Sequence, residues 1–485
     1  MSKRVQVPGR SARGWPKSRL MRALPALLAA FGFACGVPPP EAARAAGSEL
    51  SPLAARLVEE RRLPGMSIAI LEGDRLAASG VAGFARIDPS TPVTRDTIFD
   101  LASITKSFTA AAAMTLVERG EIGLEDPAVR WLPELAAGGA SPRVRELLSQ
   151  TAGLPELFSL PGYPRLVAHP EEGPAPAAEV AEIGRAPRVF APGRSWAYSN
   201  SNYAAVALLV ERQAGEPYAR FLAERVLAPL GLSDIGPCPP INSPAPGFAA
   251  LYRVDDGGRF VPADLDAERH TYVGYGDLCG TAEQLARFFR ALANGRIVSA
   301  ASFRRMTAPA PLELGGEAPY GFGLSLLPIV GREAFAHTGS SGTAAAYFPA
   351  SETTIVVLTN RDLSFAEDSL QQVARSYWKL PPPPPLDVSP PTPFEIGRFT
   401  GRFEDGLFRF EVTLRDGALW LDNPPFGAPR RLARERAGRF VSVAEPGGIA
   451  LELPHAARHR GVDLLFDWAA VRSFARRDEE APPQR

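Results

Sequence analysis

Residues 103–119 form a long and largely apolar stretch, and they constrain the fold of this chain more than any other segment. Apolar side chains occupy most of its positions rather than one stripe, which is typical of a helix that is buried on most sides. We therefore predict a helix at the centre of the folded domain. Ser103 would lie in its first turn, where free backbone N–H groups and the positive end of the helix dipole favour negative charge on a nearby oxygen.

Ser103 and Lys106 are spaced so that they would share one face of this helix. Only four of the 53 basic residues are lysine, and two of those, Lys3 and Lys17, lie near the N-terminus. Arginine cannot lose its proton at working pH, whereas a buried lysine can. The Ser-x-x-Lys spacing therefore predicts a serine nucleophile with a lysine base. A surface pair on an ordinary helix is the alternative for this tetrapeptide taken alone.

A second motif, Tyr198-Ser199-Asn200, follows a loop rich in glycine and proline and precedes a predicted helix. A tyrosine beside a lysine can accept a proton, because a nearby ammonium group favours the phenolate. The amide of Asn200 could orient Lys106 or the substrate. Taken alone, Tyr-x-Asn is a weak signal, and a purely structural role is the alternative.

The third motif is His337-Thr338-Gly339, followed by Ser340 and then a predicted strand. We predict that these four residues line the substrate side of the site. Gly339 would let a substrate backbone approach closely, and the N–H groups of Ser340 and Ser103 would form an oxyanion hole. His337 would line the site and tune its charge.

The segment 47–380 alternates between strand-like and helix-like patterns. Residues 67–71 and 76–84 predict an N-terminal hairpin, and residues 343–348 and 353–359 predict two adjacent strands near the other end. Both ends therefore contribute to one sheet, with a helical insertion between them, and the fold class is α+β rather than a doubly wound parallel sheet. Further helices are predicted at residues 141–149, 200–213, 216–227, 281–294 and 363–378.

An unbroken proline run at residues 381–385 separates the α+β region from a region with only strand-like patterns. We predict a stiff, extended linker at residues 381–394. Residues 395–479 then alternate between apolar and polar side chains in about eight short stretches, which predicts a small up-and-down β-barrel or meander. No residue set in this C-terminal domain suggests chemistry.

Residues 1–46 read as an export signal. A basic start precedes an apolar run at residues 24–34, which is too short to span a bilayer, and Ala43-Arg44-Ala45 offers a small-x-small cleavage site. Cys35 raises the alternative of a lipoprotein, but the residues before it lack the usual aliphatic side chain. We expect a periplasmic or secreted protein.

The formal net charge is zero, so the composition gives no indication of a nucleic-acid partner. The histidines and cysteines lack metal-ligand spacing, and we predict neither a metal nor another cofactor. Beyond the leader, Cys238 and Cys279 both follow loop-like stretches. They could form a disulfide in an exported protein, or they could be two unpaired small core residues.

The ordered set of three motifs resembles the serine β-lactamase and penicillin-binding-protein superfamily. The resemblance is closest to the branch of class C β-lactamases, DD-peptidases, D-amino-acid peptidases and family VIII-type esterases, and it covers roughly residues 52–378. It implies a β-lactamase/transpeptidase-like fold, in which helices flank an antiparallel sheet. Further stretches that resemble the family pattern are residues 97–133, 147–155, 229–232 and 320–324.

Three residues depart from the family pattern. Many relatives have lysine where His337 stands, Gln150 replaces a usual histidine, and Cys279 replaces a usual serine. Histidine at position 337 weakens the case for an efficient β-lactamase. No acidic loop of the class A kind is evident, so Tyr198, Lys106 or the substrate would activate the water that releases the acyl group.

Together, the motifs and the resemblance predict an exported serine hydrolase that forms an acyl-enzyme on an ester, amide or peptide carbonyl. The alternatives are a DD-carboxypeptidase or D-aminopeptidase acting on peptidoglycan-type peptides, and a non-catalytic relative that binds muropeptide or a protein. The expected partner is a small-molecule or peptide substrate, with association to the cell wall or a membrane surface left open. The sequence does not indicate an oligomeric state.

Overall fold

A computed structural model describes residues 50–477, apart from 170–175, 240–244, 256, 264–271, 327, 365, 383–384, 405–408, 423–428, 437–438, 443–448, 453–461 and 467–469. The predicted leader lies outside the described residues. None of the helices in this part of the chain combines the length and hydropathy needed to cross a membrane.

The main sheet has six strands in the order β3-β2-β1-β11-β10-β9, and all neighbours are antiparallel. Strands β1 and β11 pair at its centre, so the two ends of this region meet there. The predicted α+β class, with one sheet built from both ends around an insertion, is confirmed. The first eleven strands are β1 (Gly65–Glu72), β2 (Arg75–Arg86), β3 (Thr91–Pro92), β4 (Phe99–Asp100), β5 (Gly236–Pro237), β6 (Tyr252–Val254), β7 (Phe260–Pro262), β8 (Leu278–Gly280), β9 (Phe335–Gly339), β10 (Thr343–Phe348) and β11 (Thr353–Thr359).

Helices cover both faces of this sheet. Successive side chains of a strand point to opposite faces, so the buried residues of β1 contact helices on both sides. Ile68 and Ile70 pack with α1 and α10, whereas Ala69 and Leu71 pack with the larger core that contains α2 and α8. The α-helices of the described residues are α1 (Ser51–Arg61), α2 (Thr105–Glu118), α3 (Val144–Leu148), α4 (Tyr163–Ala168), α5 (Ala177–Arg185), α6 (Asn200–Ala214), α7 (Tyr218–Leu222), α8 (Ala282–Ala293), α9 (Ala300–Met306), α10 (Ala366–Tyr377) and α11 (Pro393–Phe399), and a π-helical turn, Ala223–Leu227, continues α7.

Helix α2 is the buried helix that the sequence predicts. Eleven of its 14 residues are buried, and Phe108 stacks on Phe288 of α8 with ring centroids 3.6 Å apart. A 3₁₀ turn, Ala102–Ile104, leads directly into it. The start of this helix is therefore fixed by the core, while Ser103 in the preceding turn stays half-exposed.

The C-terminal strands close into an eight-stranded barrel. Buried apolar side chains such as Phe403, Phe410 and Leu419 contribute to its core. The barrel strands are β12 (Gly401–Glu404), β13 (Arg409–Arg415), β14 (Ala418–Asp422), β15 (Arg430–Arg436), β16 (Arg439–Ser442), β17 (Ile449–Glu452), β18 (Val462–Phe466) and β19 (Ala470–Arg477).

Helix α11 begins inside the segment that was predicted to be an extended linker. Thr392 caps it by accepting a hydrogen bond from the backbone N–H of Glu395, and Pro393 occupies the first turn, where a missing N–H costs little. Arg434 of the barrel donates to Glu395 at 2.7 Å and also binds Asp387. These contacts hold the segment against the barrel rather than leaving it as a free spacer.

Candidate active site

The turn that carries Ser103 has an uncommon backbone conformation. Ala102 has a φ of 44°, a left-handed conformation that residues with a Cβ rarely adopt. Its backbone N–H donates to Oδ1 of Asp100 at 2.7 Å, and the N–H of Leu101 donates to the carbonyl oxygen of Leu278 at 2.9 Å. Strand β4 and this turn therefore fix Ser103 before the helix starts.

Lys106 lies fully buried beside Ser103. Its Nζ is 3.0 Å from Ser103 Oγ and donates to the carbonyl oxygen of Tyr275 at 2.8 Å. Burial lowers the pKa of Lys106 to about 7, although the charge of Glu156 opposes this effect. Near neutral pH a large fraction of Lys106 would thus be an uncharged amine, which is the form able to accept a proton.

The Tyr198 side chain lies beside Lys106. The Lys106 Nζ lies 4.9 Å from the centroid of the Tyr198 ring. Ser199, the next residue, caps α6 through its hydroxyl, and its backbone N–H donates to Gln150 Oε1 at 3.0 Å. Gln150, which replaces the usual histidine of the family pattern, therefore helps to hold the loop that presents Tyr198.

Asn200 does not bind Lys106 in this structure, contrary to one of the two roles predicted for its amide. Its Nδ2 donates to Glu156 Oε1 at 2.8 Å, and its backbone N–H donates to Glu156 Oε2 at 2.9 Å. An ionised carboxylate accepts both bonds at the first turn of α6, where negative charge is favoured. Asn200 thus positions Glu156, whose charge acts on Lys106.

His337 lies next to Tyr198, with ring centroids 6.3 Å apart, and its side chain is fully buried. Its Nδ1 donates to the carbonyl oxygen of Thr338 at 2.8 Å, because a carbonyl can only accept, and its Nε2 therefore accepts from the Tyr320 hydroxyl at 2.8 Å. Burial, together with the charge of Lys106, lowers the pKa of His337 to about 3. The imidazole is thus neutral over the working pH range.

Gly339 is required for a reason that differs from the prediction of close substrate approach. A Cβ at this position would lie 2.4 Å from the carbonyl oxygen of Leu101 and 3.1 Å from the Cβ of Ala102. Strand β9 therefore packs directly on the Ser103 turn. Thr338 is buried in β9, while Ser340 follows this strand and is exposed.

Cys238 and Cys279 form a disulfide, the first of the two alternatives open from the sequence. The first of the two loop-like stretches, Gly236-Pro237, is the short strand β5, whereas residues 276–277 lie outside a strand and lead into β8, which pairs with β5. Strand β8 also pairs with β4, next to the Ser103 turn. The cysteine that replaces the family's usual serine therefore lies beside the site.

A group of four aromatic rings adjoins Lys106. The Tyr275 ring lies 5.6 Å from Lys106 Nζ, and Phe158 packs on Tyr163, Tyr272 and Tyr275 with centroid distances of 5.1, 5.9 and 6.1 Å. Phe158 is 44% exposed, a large apolar side chain left open at the edge of the group. We call these four residues the aromatic wall.

Sequence reasoning missed Glu156, Tyr275 and Tyr320 as members of the site. Each lies in or next to a stretch that resembles the family pattern or contains closely spaced glycines, such as Gly274-Tyr275-Gly276. Their contacts with Asn200, Lys106 and His337 depend on tertiary packing, and no local spacing in the sequence indicates them.

Comparison with known sequences identifies the family. Residues 50–376 match the profile of the Beta-lactamase family, which is more than half of the chain. The chain therefore belongs to this family, and the resemblance predicted from the three motifs is confirmed.

Several curated relatives share about a quarter to a third of their aligned residues with this chain. Penicillin-binding protein 4* of Bacillus subtilis is 28% identical over 278 residues, 55% of this chain and 60% of the relative. A D-aminopeptidase of Brucella anthropi is 27% identical over 280 residues, 57% and 52% respectively. Esterase EstB of Burkholderia gladioli is 34% identical over 209 residues, 38% and 51% respectively. The chain thus spans only about half to three-fifths of the length of these relatives.

Solved structures support the fold over a longer part of the chain. The crystal structure of SurE superposes with a TM-score of 0.62 at 25% identity, covering 90% of this chain and 99% of SurE. The predicted β-lactamase/transpeptidase-like fold with a small C-terminal all-β domain is confirmed.

The lowered pKa of Lys106 predicts the pH dependence of catalysis. If neutral Lys106 is the base, kcat/KM should rise as the pH increases through about 7, because the ammonium form present at lower pH cannot accept a proton. His337, with a pKa of about 3, should add no transition between pH 5 and 9. Initial rates on a p-nitrophenyl ester across this range would measure the midpoint.

Glu156→Gln provides the matched control for this profile. Removing the carboxylate charge that favours the ammonium form should move the midpoint to lower pH. A profile that is flat down to pH 5, or a midpoint near that of an ordinary lysine, would contradict the assignment of Lys106 as the base.

Proposed function

We propose that this chain is a serine acyl-hydrolase that cleaves esters or amides through a covalent acyl-enzyme. The observation that carries the proposal is the 3.0 Å separation between Ser103 Oγ and the Nζ of a buried lysine whose pKa is lowered to about 7. A neutral amine at this distance can take the hydroxyl proton as Oγ attacks a carbonyl carbon. The Tyr275 carbonyl oxygen orients the amine from the other side.

The remaining steps use the other residues around the pair. The backbone N–H groups of Ser103 and Ser340 are the proposed oxyanion donors, and the Ser103 amide lies at the start of a helical segment that favours negative charge. Tyr198, beside Lys106 Nζ, would pass the proton to the leaving atom. Water activated by the same pair would then release the acyl group from Ser103.

The neutral state of His337 affects which leaving groups the site can bind. A β-lactam and a peptide ending in D-alanine both carry a carboxylate on the leaving side, and a lysine at this position could bind it as an ion pair. A buried imidazole bonded to Tyr320 and Thr338 offers no positive charge. Leaving groups without a carboxylate, such as alcohols and simple amines, therefore suit this site better than β-lactams or DD-peptides.

The aromatic wall supports an apolar acyl group. Two sets of rings flank Lys106: Tyr198 packs with Tyr320 and His337, whereas Tyr275 packs with Phe158 and Tyr272. The leaving atom must lie near Tyr198 if that residue protonates it. The acyl group then extends toward the opposite set, where the exposed ring of Phe158 would cover it.

A second candidate function is the removal of an N-terminal D-amino acid from an amide or peptide. Glu156 favours it, because a carboxylate whose charge reaches Lys106 could also attract the free ammonium group of such a substrate. The relatives include a D-aminopeptidase as well as an esterase. Comparing D-amino-acid amides with their N-acetylated forms separates this function from simple ester hydrolysis.

We also propose that the chain is exported, with residues 1–46 as the signal. The Cys238–Cys279 disulfide supports this, since such bonds persist mainly in oxidising compartments outside the cytosol. An exported hydrolase could act on peptides or esters at the cell wall or at a membrane surface. Cys35 lies within the leader and would be lost on cleavage at Ala46.

Substitutions of Ser103 and Lys106 test the proposed nucleophile and base. Ser103→Ala should abolish both turnover and labelling by a fluorophosphonate probe, and Lys106→Arg should lower kcat/KM by at least ~10²-fold, since the charge is kept but deprotonation is lost. Lys379→Arg is the matched control, because it makes the same change at an exposed lysine and should retain activity.

The same measurements can also contradict the proposal. Labelling that persists at another serine in Ser103→Ala would overturn the assignment of the nucleophile. Absence of both labelling and turnover in the wild-type chain would favour the non-catalytic alternative, in which the fold binds a muropeptide or a protein.

The aromatic wall should determine how well large apolar acyl groups are hydrolysed. Phe158→Ala should lower kcat/KM for a 3-phenylpropanoate ester by about ten-fold, as expected for the loss of ~1–3 kcal/mol of apolar contact, while the acetate ester changes less than two-fold. Phe84→Ala, at a ring of similar exposure on β2, is the control and should leave the ratio unchanged. A ratio that depends on the alcohol instead of the acyl group would assign Phe158 to the leaving side.

Expression of the full chain tests the proposed export signal. Expression of the full chain should yield a mature protein outside the cytosol that begins at Ala46, as read by N-terminal sequencing and cell fractionation. Lipid labelling at Cys35 would identify a lipoprotein instead. An uncleaved chain in the cytosol with free Cys238 and Cys279 thiols would refute the proposal.

A further inference from the structure

A small three-stranded sheet lies beside the candidate site, with strand order β4-β8-β5. In the central strand, Cys279 pairs with Asp100 on one side and with Gly236 on the other. The disulfide joins Cys279 to Cys238, which directly follows β5, and its two cysteines are 41 residues apart in sequence. The bond therefore ties the central strand to the outer strand that is remote from the Ser103 turn.

The segment that enters β8 bonds to Lys106 and to residues on either side of Ser103. The carbonyl oxygen of Tyr275 accepts from Lys106 Nζ at 2.8 Å, and the backbone N–H of Leu278 donates to Thr105 Oγ1 at 3.1 Å. The Leu278 carbonyl oxygen accepts from the backbone N–H of Leu101 at 2.9 Å. Displacement of this segment would loosen the amine and the serine turn together.

The turn itself needs this support. Ala102 is held at a φ of 44°, which a residue with a Cβ adopts only when its surroundings enforce it. One enforcing contact is the hydrogen bond to Asp100 Oδ1. A carboxylate oxygen of Asp100 also lies within 4.8 Å of both sulfur atoms. Asp100 therefore links the strand that carries Cys279 to the turn, through the pairing of β4 with β8 and through its hydrogen bond to Ala102.

We propose that the Cys238–Cys279 disulfide is a positioning element for Ser103 and Lys106, so that the hydrolysis proposed above, on which this inference rests, depends on the oxidation state of the bond. A dithiol reductant would supply two electrons and two protons. The S–S bond breaks to give two thiols, and the reductant becomes a disulfide. Attack would occur at Cys238, which is half-buried, rather than at Cys279, which is 2% exposed.

Reduction removes the covalent bond between Cys279 of β8 and Cys238 beside β5, and leaves β8 held by its backbone pairing and by the packing of its buried side chains. The contact between Tyr275 and Lys106 then becomes less well defined, and water can reach the amine. Better solvation favours the ammonium form, so the pKa of Lys106 should rise toward its ordinary value. The pH profile therefore separates a positioning role from a purely structural one.

The experiment compares three forms of the mature chain: oxidised wild type, wild type treated with dithiothreitol, and the double variant Cys238→Ser/Cys279→Ser. We expect kcat to fall at least ten-fold in the last two forms, with a smaller change in KM. The midpoint of the kcat/KM profile should move to a pH above 7. Reoxidation should restore the wild type, and dithiothreitol should not affect the double variant.

Val357→Ala is the control for a general loss of stability. Val357 is buried on the sheet face that packs against α1 and α10, away from the site. It should lower the melting temperature without changing kcat or the pH midpoint at an assay temperature at which the protein is folded. If the double variant does not fold, the reversible reduction of wild type at 10 °C, followed by circular dichroism and thiol counting, gives the same comparison.

The outcomes distinguish this inference from the function on which it rests. If oxidised wild type neither hydrolyses esters nor reacts with a fluorophosphonate, both fail. If it does so, and the reduced and double-variant forms keep the same kcat and pH midpoint while melting at a lower temperature, the bond only stabilises the fold and the positioning role is refuted. Slower labelling of Ser103 with an upward shift of the midpoint supports it.

Discussion

The removal of one lysine side chain from water is the constraint on which the rest of this site depends. Burying an ammonium group costs free energy. Burial therefore lowers the pKa of Lys106 to about 7, and no acid pairs directly with its amine among the described residues. The Tyr275 carbonyl oxygen takes one of its hydrogen bonds. Glu156 is bonded through both oxygens to Asn200 and acts on the amine through space. A direct ion pair would have fixed the charged form and removed the base.

Keeping this amine dry requires close packing between segments that are distant in sequence. Gly339 allows β9 to lie against the carbonyl oxygen of Leu101, and Gly323 similarly approaches the carbonyl oxygen of Lys106, where a Cβ would come within 2.8 Å. The main sheet makes both contacts feasible, because the central pairing of β1 with β11 fixes the two ends of the region relative to α2. The sheet thus supports the proposed catalysis indirectly, because it helps to keep Lys106 buried.

The parts of the fold that follow local rules could be predicted from the sequence. The apolar composition of α2 indicates its burial, and the strands at residues 343–348 and 353–359 have the predicted bounds. The i,i+3 spacing of Ser103 and Lys106 is likewise a local property. The reasons for Gly339, for the bond between Asn200 and Glu156 and for the burial of His337 lie in neighbours that are far away in the chain, so no pattern around these residues indicates them.

Helix α11, within the predicted linker, is a second feature that depends on distant neighbours. The prolines at residues 381–385 correctly signal the end of the α+β region, but Thr392 and Glu395 form a capping box that outweighs the general preference of proline-rich chain for extension. The barrel supplies Arg434 as the partner of Glu395 and holds the pKa of that carboxyl near 2, chiefly through the hydrogen bond between the two side chains. The prolines favour an extended chain and the capping box favours a helix, and the contact with the barrel decides between them.

The neutral histidine and the lowered lysine pKa have a common cause and complementary effects. Burial disfavours positive charge at both positions, and the charge on one further disfavours charge on the other. A site built in this way can move a proton but offers little attraction for an anionic leaving group. It is also sensitive to hydration, because water that entered near Tyr275 would restore the charge on Lys106. The segment that contacts Lys106 through Tyr275 and leads into the strand of Cys279 is therefore as much a part of the proposed chemistry as the amine.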